Sequence, residues 1–365
     1  MADSAGVEDR IARLRLIRSE TIGPVTYAQL LARFGSASAA LEAIPSLAAR
    51  GGGRPPAIAS RASVEREMAA VAKLGARYLF RGRPDYPALL GEVESAPPVL
   101  IAQGRVELLQ RPAIAMVGAR NASAAACRFA RQLAQGLGME NVVIVSGLAR
   151  GIDTAAHDGS LETGTIAVVA GGIDVVYPPE NAERQRKIGE RGLLLAEQPP
   201  GLEPRARHFP SRNRIIAGIA QGTVVVEAAP KSGSLITARF AAEFGRDVMA
   251  VPGSPLDPRA QGCNQLIREG AILVQNAADV LEMLRPFDLR PLAEESDAYA
   301  APPSPADIGE ADRARITGLL SPTPVAVDEI LRQSGLSPAA VQTVLLELEL
   351  GGRLERHAGG RVSLR

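Results

Sequence analysis

Seven short apolar runs between residues 75 and 286 constrain the fold more than any other feature of this chain. They read "AIAMVG", "VVIVSG", "TIAVVAGG", "LLLAEQ", "TVVVEA", "DVMAVPG" and "AILV", and helix-like segments separate them. Strands that are apolar on both faces belong in the middle of a parallel sheet that helices cover on both sides. The runs therefore predict a doubly wound α/β domain over residues 75–286, with "ARYLFR" and "PPVLIAQG" as further strands of the same sheet.

The segments on either side predict two smaller domains, as expected for a chain of 365 residues. Residues 1–70 contain short helical patterns interrupted by a Gly-Pro stop, and they resemble a sterile-alpha-motif or helix-hairpin-helix module. The glycine turn of such a module either offers backbone N–H groups to a phosphate or only packs two helices. Residues 287–308 have the composition of a linker, and 309–365 predict three helices and a hairpin, the outline of a winged helix.

Composition limits the classes of function. The formal net charge is +1, so any attraction for nucleic acid must come from a local patch. The two cysteines, Cys127 and Cys263, have no second thiol or histidine at metal-ligand spacing, which argues against a zinc site. The N-terminal residues do not have the pattern of a signal peptide, and no apolar run approaches the ~20 residues that cross a bilayer. We expect a cytoplasmic protein without membrane contact.

Glycines and small polar residues follow the predicted strands. The carboxyl ends of the strands form the binding crevice of an open α/β sheet, where glycine permits close backbone approach and helix N-termini favour anions. "VGARNAS" has Arg120 where G-x-G-x-x-G needs its second glycine, and no G-x-x-x-x-G-K-[ST] occurs, so no cofactor is expected. The predicted crevice residues of this type are Gly118, Ser146, Gly147, Gly172, Ser232, Gly233 and Ser234.

The stretch "ARHFPSRNRIIAGIA" places several arginines around one phenylalanine, just after another predicted strand. Cations for phosphates combined with an aromatic face are the requirements for binding single-stranded nucleic acid. The alternative is that some of these arginines pair with Glu197, Glu203 or Glu227 and only tie loops together. We expect these side chains to contact a bound single strand together with the glycine loops, and they are Arg120, Arg207, Phe209, Arg212, Arg214 and Lys231.

Several of these motifs together resemble one protein family. "VGAR", "SGLARGIDTAAHDGSLETGTIAVVAGGIDVVYPPEN", "FPSRNRIIAGIAQGTVVVEA", "KSGSLITARFAAEFGRDVMAVPG" and "GCNQLIREGAILV" are similar to the core of bacterial DNA-processing protein A, also called DprA or Smf. The resemblance implies an extended Rossmann-like fold, a homodimer, and binding of single-stranded DNA in a basic pocket. It also implies that Asn213, in the R-N-R motif with Arg212 and Arg214, belongs to that pocket. It also implies loading of the RecA recombinase during natural transformation, without catalysis. The family often has a lysine before the phenylalanine, and Arg205, Arg207 and His208 are the alternatives for that role.

A nucleotide-processing enzyme is the alternative function. Phosphoribohydrolases of related fold carry P-G-G-x-G-T-x-x-E, but "KSGSLITARFAAE" lacks the paired glycines and its Glu243 stands six residues after Thr237. Asp153 and His157 share a helix face and could bind a metal or relay a proton, or else Asp153 caps the helix and His157 is buried in the core.

Replacing Arg120 or Arg212 by glutamate is expected to abolish binding of single-stranded DNA and to leave the fold intact.

The predicted winged helix is a poor reader of duplex DNA. Its recognition helix, "SPAAVQTVLLELEL", contains no lysine or arginine and carries Glu347 and Glu349. A nucleotide-sensing regulator that uses this helix on duplex DNA is therefore disfavoured. A protein partner or the rest of the chain is the better candidate, and only Arg353, Arg356 and Arg361 remain as phosphate contacts.

Overall fold

The computed structural model describes residues 2–284, 308–357 and 359–365, which form two compact units. One unit joins the described residues up to Glu65 to those from Ile308 onward, and the other runs from Arg66 to Leu284. Almost all of the predicted linker, residues 287–308, lies outside the described residues. Its last residue, Ile308, packs in a hydrophobic core with Ile316 and Leu345.

The second unit contains a nine-stranded sheet, which confirms the predicted α/β class. Each of the seven apolar runs contains a strand, and the two additional predicted strands join the same sheet. The strand order is β1-β2-β6-β5-β4-β3-β7-β8-β9, with β2 antiparallel to both neighbours and the other pairs parallel. The strands are β1 (Arg77–Phe80), β2 (Val99–Gly104), β3 (Ala113–Val117), β4 (Val143–Ser146), β5 (Thr165–Gly172), β6 (Leu193–Gln198), β7 (Gly222–Val225), β8 (Asp247–Ala250) and β9 (Ile272–Leu273).

Alternation along the central strands places different buried clusters of this unit on opposite faces of the sheet. In β3, Ala115 and Val117 belong to one buried cluster, whereas Ile114 and Met116 belong to the other. Since successive side chains of a strand point to opposite faces, both faces of the sheet need helices. These are α4 (Arg61–Lys73), in which the division between the units falls, α5 (Ala88–Gly91), α6 (Ala124–Met139), α7 (Ile152–Ser160), α8 (Ala182–Arg191), α9 (His208–Ile219), α10 (Ser234–Glu243), α11 (Gln261–Arg268) and α12 (Ala277–Leu284).

The first unit combines the two ends of the chain. Its helices are α1 (Ala2–Arg18), α2 (Pro24–Phe34), α3 (Ala37–Arg50), α13 (Glu310–Gly318), α14 (Val327–Ser334) and α15 (Pro338–Leu350). Its sheet has the order β10-β12-β11, formed by β10 (Val325–Ala326), β11 (Leu354–His357) and β12 (Arg361–Leu364). These elements match the predicted three helices and hairpin. None of the helices in the described ranges is both long and apolar enough to span a bilayer.

The predicted recognition helix, α15, is packed inside this first unit. Leu346 and Leu350 share a buried cluster with Leu30 of α2 and with Ile44 of α3. Glu347 is only 1% exposed, and its two carboxylate oxygens accept hydrogen bonds of 2.8 and 3.1 Å from Arg313. The apolar residues that face away from the winged-helix core therefore pack against the N-terminal helices.

Polar contacts also join α15 and the residues after it to the rest of the first unit. Glu349 accepts hydrogen bonds from Thr26 Oγ1 at 2.8 Å and from Arg356 Nε at 2.9 Å. Arg353 donates to the carbonyl oxygen of Gly51 at 3.3 Å. Two of the three arginines that the sequence suggested as phosphate contacts are therefore engaged within the chain, and the third, Arg361, is exposed.

Candidate nucleic-acid interface

Two neighbouring cavities lie at the carboxyl ends of the parallel strands. The aromatic cavity, of about 370 Å³, is lined by Tyr177, Phe209, Val175 and several prolines. The basic cavity, of about 830 Å³, is lined by Lys231, Arg259 and the serines and glycine that follow Lys231. Arg120, Phe209 and Arg212 contribute to both cavities, so they stand on the boundary between them.

Ten of the fourteen predicted site residues line one or both cavities. The loops after β3, β4 and β7 and the start of α9 bring them together, as expected for strand ends that meet at one edge of a sheet. These ten residues are Gly118, Arg120, Gly147, Phe209, Arg212, Asn213, Lys231, Ser232, Gly233 and Ser234.

An exposed cation and two aromatic rings form the centre of the interface. The guanidinium carbon of Arg120 lies 5.2 Å from the ring centroid of Phe209. The rings of Phe209 and Tyr177 are 5.6 Å apart at an angle of 57°. A guanidinium within about 6 Å of an aromatic face is attracted to it. Phe209 therefore orients Arg120, which remains exposed to solvent.

Arg212 differs from Arg120 because it is almost entirely buried, with 6% of its surface exposed. It begins the second turn of α9, and its Nη1 donates to the carbonyl oxygen of Val168 in β5 at 3.1 Å. A Cβ atom on Gly147 would lie 1.5 Å from that Nη1, so this approach requires glycine. Burial lowers the pKa of Arg212 to about 10, against the attraction of Asp153, and the side chain remains protonated at neutral pH.

Asp153 organises the loop between β4 and α7. Its Oδ2 accepts hydrogen bonds from the backbone N–H groups of Gly147, at 3.1 Å, and Ala149, at 3.2 Å. Between them, Leu148 adopts a left-handed backbone conformation with φ of +56°, which is unfavourable for a leucine. The carboxylate therefore stabilises a strained turn directly under the cavities.

His157, four residues later, makes separate contacts in the core. Its Nδ1 lies 2.7 Å from Thr165 Oγ1, and burial lowers the pKa of His157 to about 3, so the ring is neutral at physiological pH. Among the described residues, no three His, Cys, Asp or Glu side chains are grouped so that they could hold a metal ion. The geometry thus favours structural roles for Asp153 and His157.

The loop before α10 lines the basic cavity. Lys231 is exposed, and Ser232 Oγ and Ser234 Oγ lie 2.7 Å apart at the helix N-terminus. Asn213 of α9 donates from Nδ2 to the carbonyl oxygen of Gly233 at 3.3 Å. Asn213 therefore positions this loop, and the helix N-terminus, two hydroxyl groups and one ammonium face the same space.

Four of the predicted site residues lie outside the linings of both cavities. Arg214 Nη2 donates to Glu197 at 2.6 Å, so for this arginine the ion-pair alternative describes the structure. Ser146 Oγ donates to the carbonyl oxygen of Met116 in the core at 2.7 Å. A Cβ on Gly172 would lie 2.6 Å from the carbonyl oxygen of Pro199, so this glycine permits loop packing. Arg207 is exposed beside the cavities, where it precedes α9.

The environment of His208 argues against this residue as the counterpart of the lysine that often precedes the phenylalanine in the family. His208 is buried, and its Nδ1 accepts a hydrogen bond from the backbone N–H of Arg205 at 3.2 Å. Burial and the charges of Arg207 and Arg205 lower the pKa of His208, which disfavours its cationic form. The exposed Arg205 and Arg207 are the remaining alternatives.

The residues that line the cavities but were not predicted from the sequence include Tyr177, Asn121, Arg150 and Arg259. Asn121 and Arg150 stand next to residues that were considered, in "VGARN" and "SGLARG". The available signal for Tyr177 was an aromatic residue shortly after the β5 run, in "GGIDVVYPPEN".

Carboxylates are scarce at this interface. Asp153 is the single Asp or Glu among the residues that line the two cavities, and its Oδ2 accepts the two backbone hydrogen bonds described above. Glu227, two residues after β7, accepts hydrogen bonds from the backbone N–H and the hydroxyl group of Ser123 at the start of α6. Glu243 is exposed at the opposite end of α10 from the basic cavity. General acid-base chemistry needs a suitably placed proton donor or acceptor, whereas this arrangement is suited to binding an anion.

Models of one protein family match three successive parts of this chain. The model of the DNA recombination-mediator protein A family matches residues 77–285, that of the DprA-like N-terminal HHH domain matches 7–70, and that of the DprA winged helix domain matches 300–360. Protein Smf from Synechocystis sp. is 36% identical over 322 residues, which are 79% of this chain and 80% of that protein.

Solved structures extend the comparison to the fold. The X-ray structure of DNA processing protein A from Streptococcus pneumoniae is 44% identical, with a TM-score of 0.56 over 61% of this chain and 82% of the other. DNA processing protein A from Helicobacter pylori is 26% identical, with a TM-score of 0.53. The match covers 57% of this chain and 95% of the other. The chain therefore belongs to the DNA recombination-mediator protein A family.

Proposed function

We propose that this protein binds single-stranded DNA across the aromatic and basic cavities. The observation that carries the proposal is the position of Arg120, exposed and stacked on Phe209 at the boundary between the two cavities. Lys231 and the hydroxyl groups of Ser232 and Ser234 add one cation and two neutral hydrogen-bond donors for phosphate on one side. Phosphates along one strand and bases that are free to stack match such a surface, whereas the bases of a duplex are already stacked on each other.

The relatives support this assignment. The solved structure of DNA processing protein A from Helicobacter pylori concerns the single-stranded DNA binding mode of that protein. The family description, a DNA recombination mediator, supports a role in which the bound strand passes to a recombinase. We infer that the chain binds and protects DNA taken up during natural transformation and loads RecA onto it in the cytoplasm.

The scarcity of carboxylates at the interface supports a role without catalysis. A phosphoribohydrolase needs a glutamate near the ribose, and Glu243 lies away from both cavities.

RecA loading is tested by following the ATP hydrolysis of RecA on single-stranded DNA, with and without this protein. An unchanged lag before filament formation would contradict the loading role.

Binding of fluorescent oligo-dT and of a matched duplex over a salt series tests the proposed function. We expect strong preference for the single strand, and an affinity that falls linearly on logarithmic axes with a slope of about 0.7 per phosphate contact. With three to five contacts the slope lies between about 2 and 4. Weak binding of both DNAs would contradict the proposal and favour a small anionic ligand, with a nucleotide-processing enzyme as the alternative function.

We also propose that the protein is a homodimer and that the edge strand β9 contributes to the dimer interface. Strand β9 ends the described part of the sheet, and its Leu273 is 42% exposed. An exposed apolar residue on an unpaired strand edge favours association with another chain. Leu273→Arg is expected to convert a dimer into a monomer in light scattering coupled to gel filtration. Leu256→Arg, at another exposed leucine, is the matched control; a Leu273→Arg protein that stays dimeric would contradict this interface.

A further inference from the structure

Glu227 is a buried carboxylate close to the interface that makes none of the contacts proposed for DNA. It follows β7 by two residues, is 8% exposed and lies outside the linings of both cavities. A carboxylate leaves water at a high cost unless hydrogen bonds or cations compensate for the lost hydration. The partners of Glu227 therefore indicate what this side chain contributes.

Glu227 accepts hydrogen bonds from both ends of the loop that carries Arg120. Its backbone carbonyl oxygen accepts from the N–H of Ala119 at 2.6 Å. Its carboxylate accepts from the backbone N–H of Ser123 at 3.0 Å and from Ser123 Oγ at 2.7 Å. Arg120 lies between these two residues, so Glu227 joins the loop after β3 to the chain that leaves β7.

Ser123 is also the residue at which α6 begins. Its Oγ accepts a hydrogen bond from the backbone N–H of Ala126 at 3.0 Å, which makes Ser123 the N-cap of the helix. A hydroxyl group has one proton, and here that proton is donated to Glu227, which leaves the oxygen lone pairs for the helix. The carboxylate therefore fixes the start of α6 and the end of the Arg120 loop together.

The other side of the same loop contacts the start of α7. The backbone N–H of Ile152 donates to the carbonyl oxygen of Ala119 at 3.3 Å. Gly151 has a φ of +74°, and a Cβ atom on it would lie 2.2 Å from that carbonyl oxygen. The beginning of the loop is thus fixed by backbone groups alone, whereas its end at Ser123 depends on the Glu227 side chain.

Glu227 is also near a second cation of the basic cavity. Arg259 Nε lies 4.0 Å from Glu227 Oε1, and Arg259 pairs more closely with Asp257, at 2.8 Å. Arg120 and Arg259 both line the basic cavity. A negative charge close to these cations opposes the binding of a DNA strand. Any gain in affinity from Glu227 must therefore come from the positions that it gives to its neighbours.

We propose that Glu227 is a positioning residue for DNA binding, which holds the Arg120 loop in the conformation that contacts phosphate. This inference rests on the proposed function. The loop is ordered when the protein folds, so a strand loses less entropy by binding to it. If the loop sampled several conformations instead, the observed affinity would fall in proportion to the fraction of molecules in the binding-competent one.

The first test compares three variants in binding of oligo-dT. Glu227→Ala removes both contacts to Ser123, keeps the backbone contact to Ala119, and should lower the affinity by about 5- to 20-fold. Glu227→Gln can accept from the N–H of Ser123 and donate to its Oγ, so its affinity should stay within about threefold of that of the unchanged protein. Asp279→Ala is the matched control, because Asp279 also accepts two backbone hydrogen bonds at the start of a helix, α12, outside both cavities.

A double-mutant cycle with Arg120→Ala separates positioning from a general loss of structure. If Glu227 acts through Arg120, Glu227→Ala should have little further effect on the affinity of the Arg120→Ala protein for oligo-dT. The salt slope of Glu227→Ala alone should equal that of the unchanged protein, because Arg120 still contacts phosphate in the complex. Equal losses of affinity in both backgrounds would overturn the inference, as would unchanged or tighter binding by Glu227→Ala.

Hydrogen exchange of the free protein reports on the loop without DNA. We expect peptides that cover residues 119–126 to exchange faster in Glu227→Ala than in the unchanged protein, in Glu227→Gln and in Asp279→Ala. Unchanged exchange in Glu227→Ala would overturn the inference even if its DNA binding is weaker. If this loop exchanges faster but the unchanged protein does not bind oligo-dT, the proposed function fails while Glu227 is still shown to hold the loop.

Discussion

Replacing Arg120 by glutamate is expected to weaken binding of oligo-dT by about 30-fold or more and to leave the melting temperature unchanged. The substitution removes a charge-assisted contact to phosphate and places a negative charge between the two cavities. Arg120 is exposed and contacts the ring of Phe209. We expect little loss of stability, because substitutions of exposed residues outside the core cost little. Fluorescence anisotropy over a salt series should also show a slope smaller by about 1.

A matched charge reversal distinguishes this local effect from a change in overall charge. Arg77 is also exposed, but it begins the edge strand β1 and lies outside the linings of both cavities. Arg77→Glu should bind oligo-dT within about twofold of the unchanged protein, because exposed charges beyond ~10 Å are screened at physiological salt. If both variants lose affinity equally, single-stranded DNA does not bind at the aromatic and basic cavities.

Replacing Arg212 by alanine is expected to destabilise the protein by about 2 to 4 kcal/mol, in contrast to Arg120. The variant loses the hydrogen bond to Val168, leaves a space in the core, and removes the positive charge that offsets Asp153. Urea unfolding followed by circular dichroism measures the difference. An unchanged midpoint of urea unfolding would contradict a stabilising role for the buried Arg212.

This result would correct the expectation that glutamate at position 212 leaves the fold intact. A carboxylate there would be buried close to Asp153, with two like charges in a space that excludes water. Loss of DNA binding by such a variant would follow from a damaged fold. Arg120 is therefore the informative position for a charge reversal.

A double-mutant cycle separates the packing of Arg212 from its charge. Asp153→Asn retains an acceptor for the N–H groups of Gly147 and Ala149 but removes the buried negative charge. Combined with Arg212→Met, it should cost less stability than the sum of the two single changes. Strict additivity would show that the two charges do not interact.

Local patterns sufficed for the secondary structure of both units. The seven apolar runs contain β3 to β9 because strands covered on both faces have no polar alternation to obscure them. Ser337 caps α15 and Gly335 ends α14 in the left-handed conformation, so these helix boundaries follow from local chemistry. The strand order, with β3 between β4 and β7, depends on contacts between distant residues.

The site shows the same division. Proximity of Arg120, Phe209 and Lys231 follows from their positions after strands of one parallel sheet, and a sequence can reveal those positions. The direction of each side chain within a loop or helix does not follow. Arg212 and Arg214 are two residues apart on α9, so the helix turns them toward different surroundings, one into the core beside Gly147 and the other toward Glu197.

The sequence by itself determined the α/β class, the family, and the set of cations and glycines from which the interface is built. Only the tertiary structure decided which arginine faces solvent, that Tyr177 joins Phe209, and that α15 packs against the N-terminal helices. The physical reason is the range of the interactions involved. Strand and helix formation depends on neighbours within a few residues, whereas burial of Arg212 and of Glu347 depends on partners more than thirty positions away in the chain.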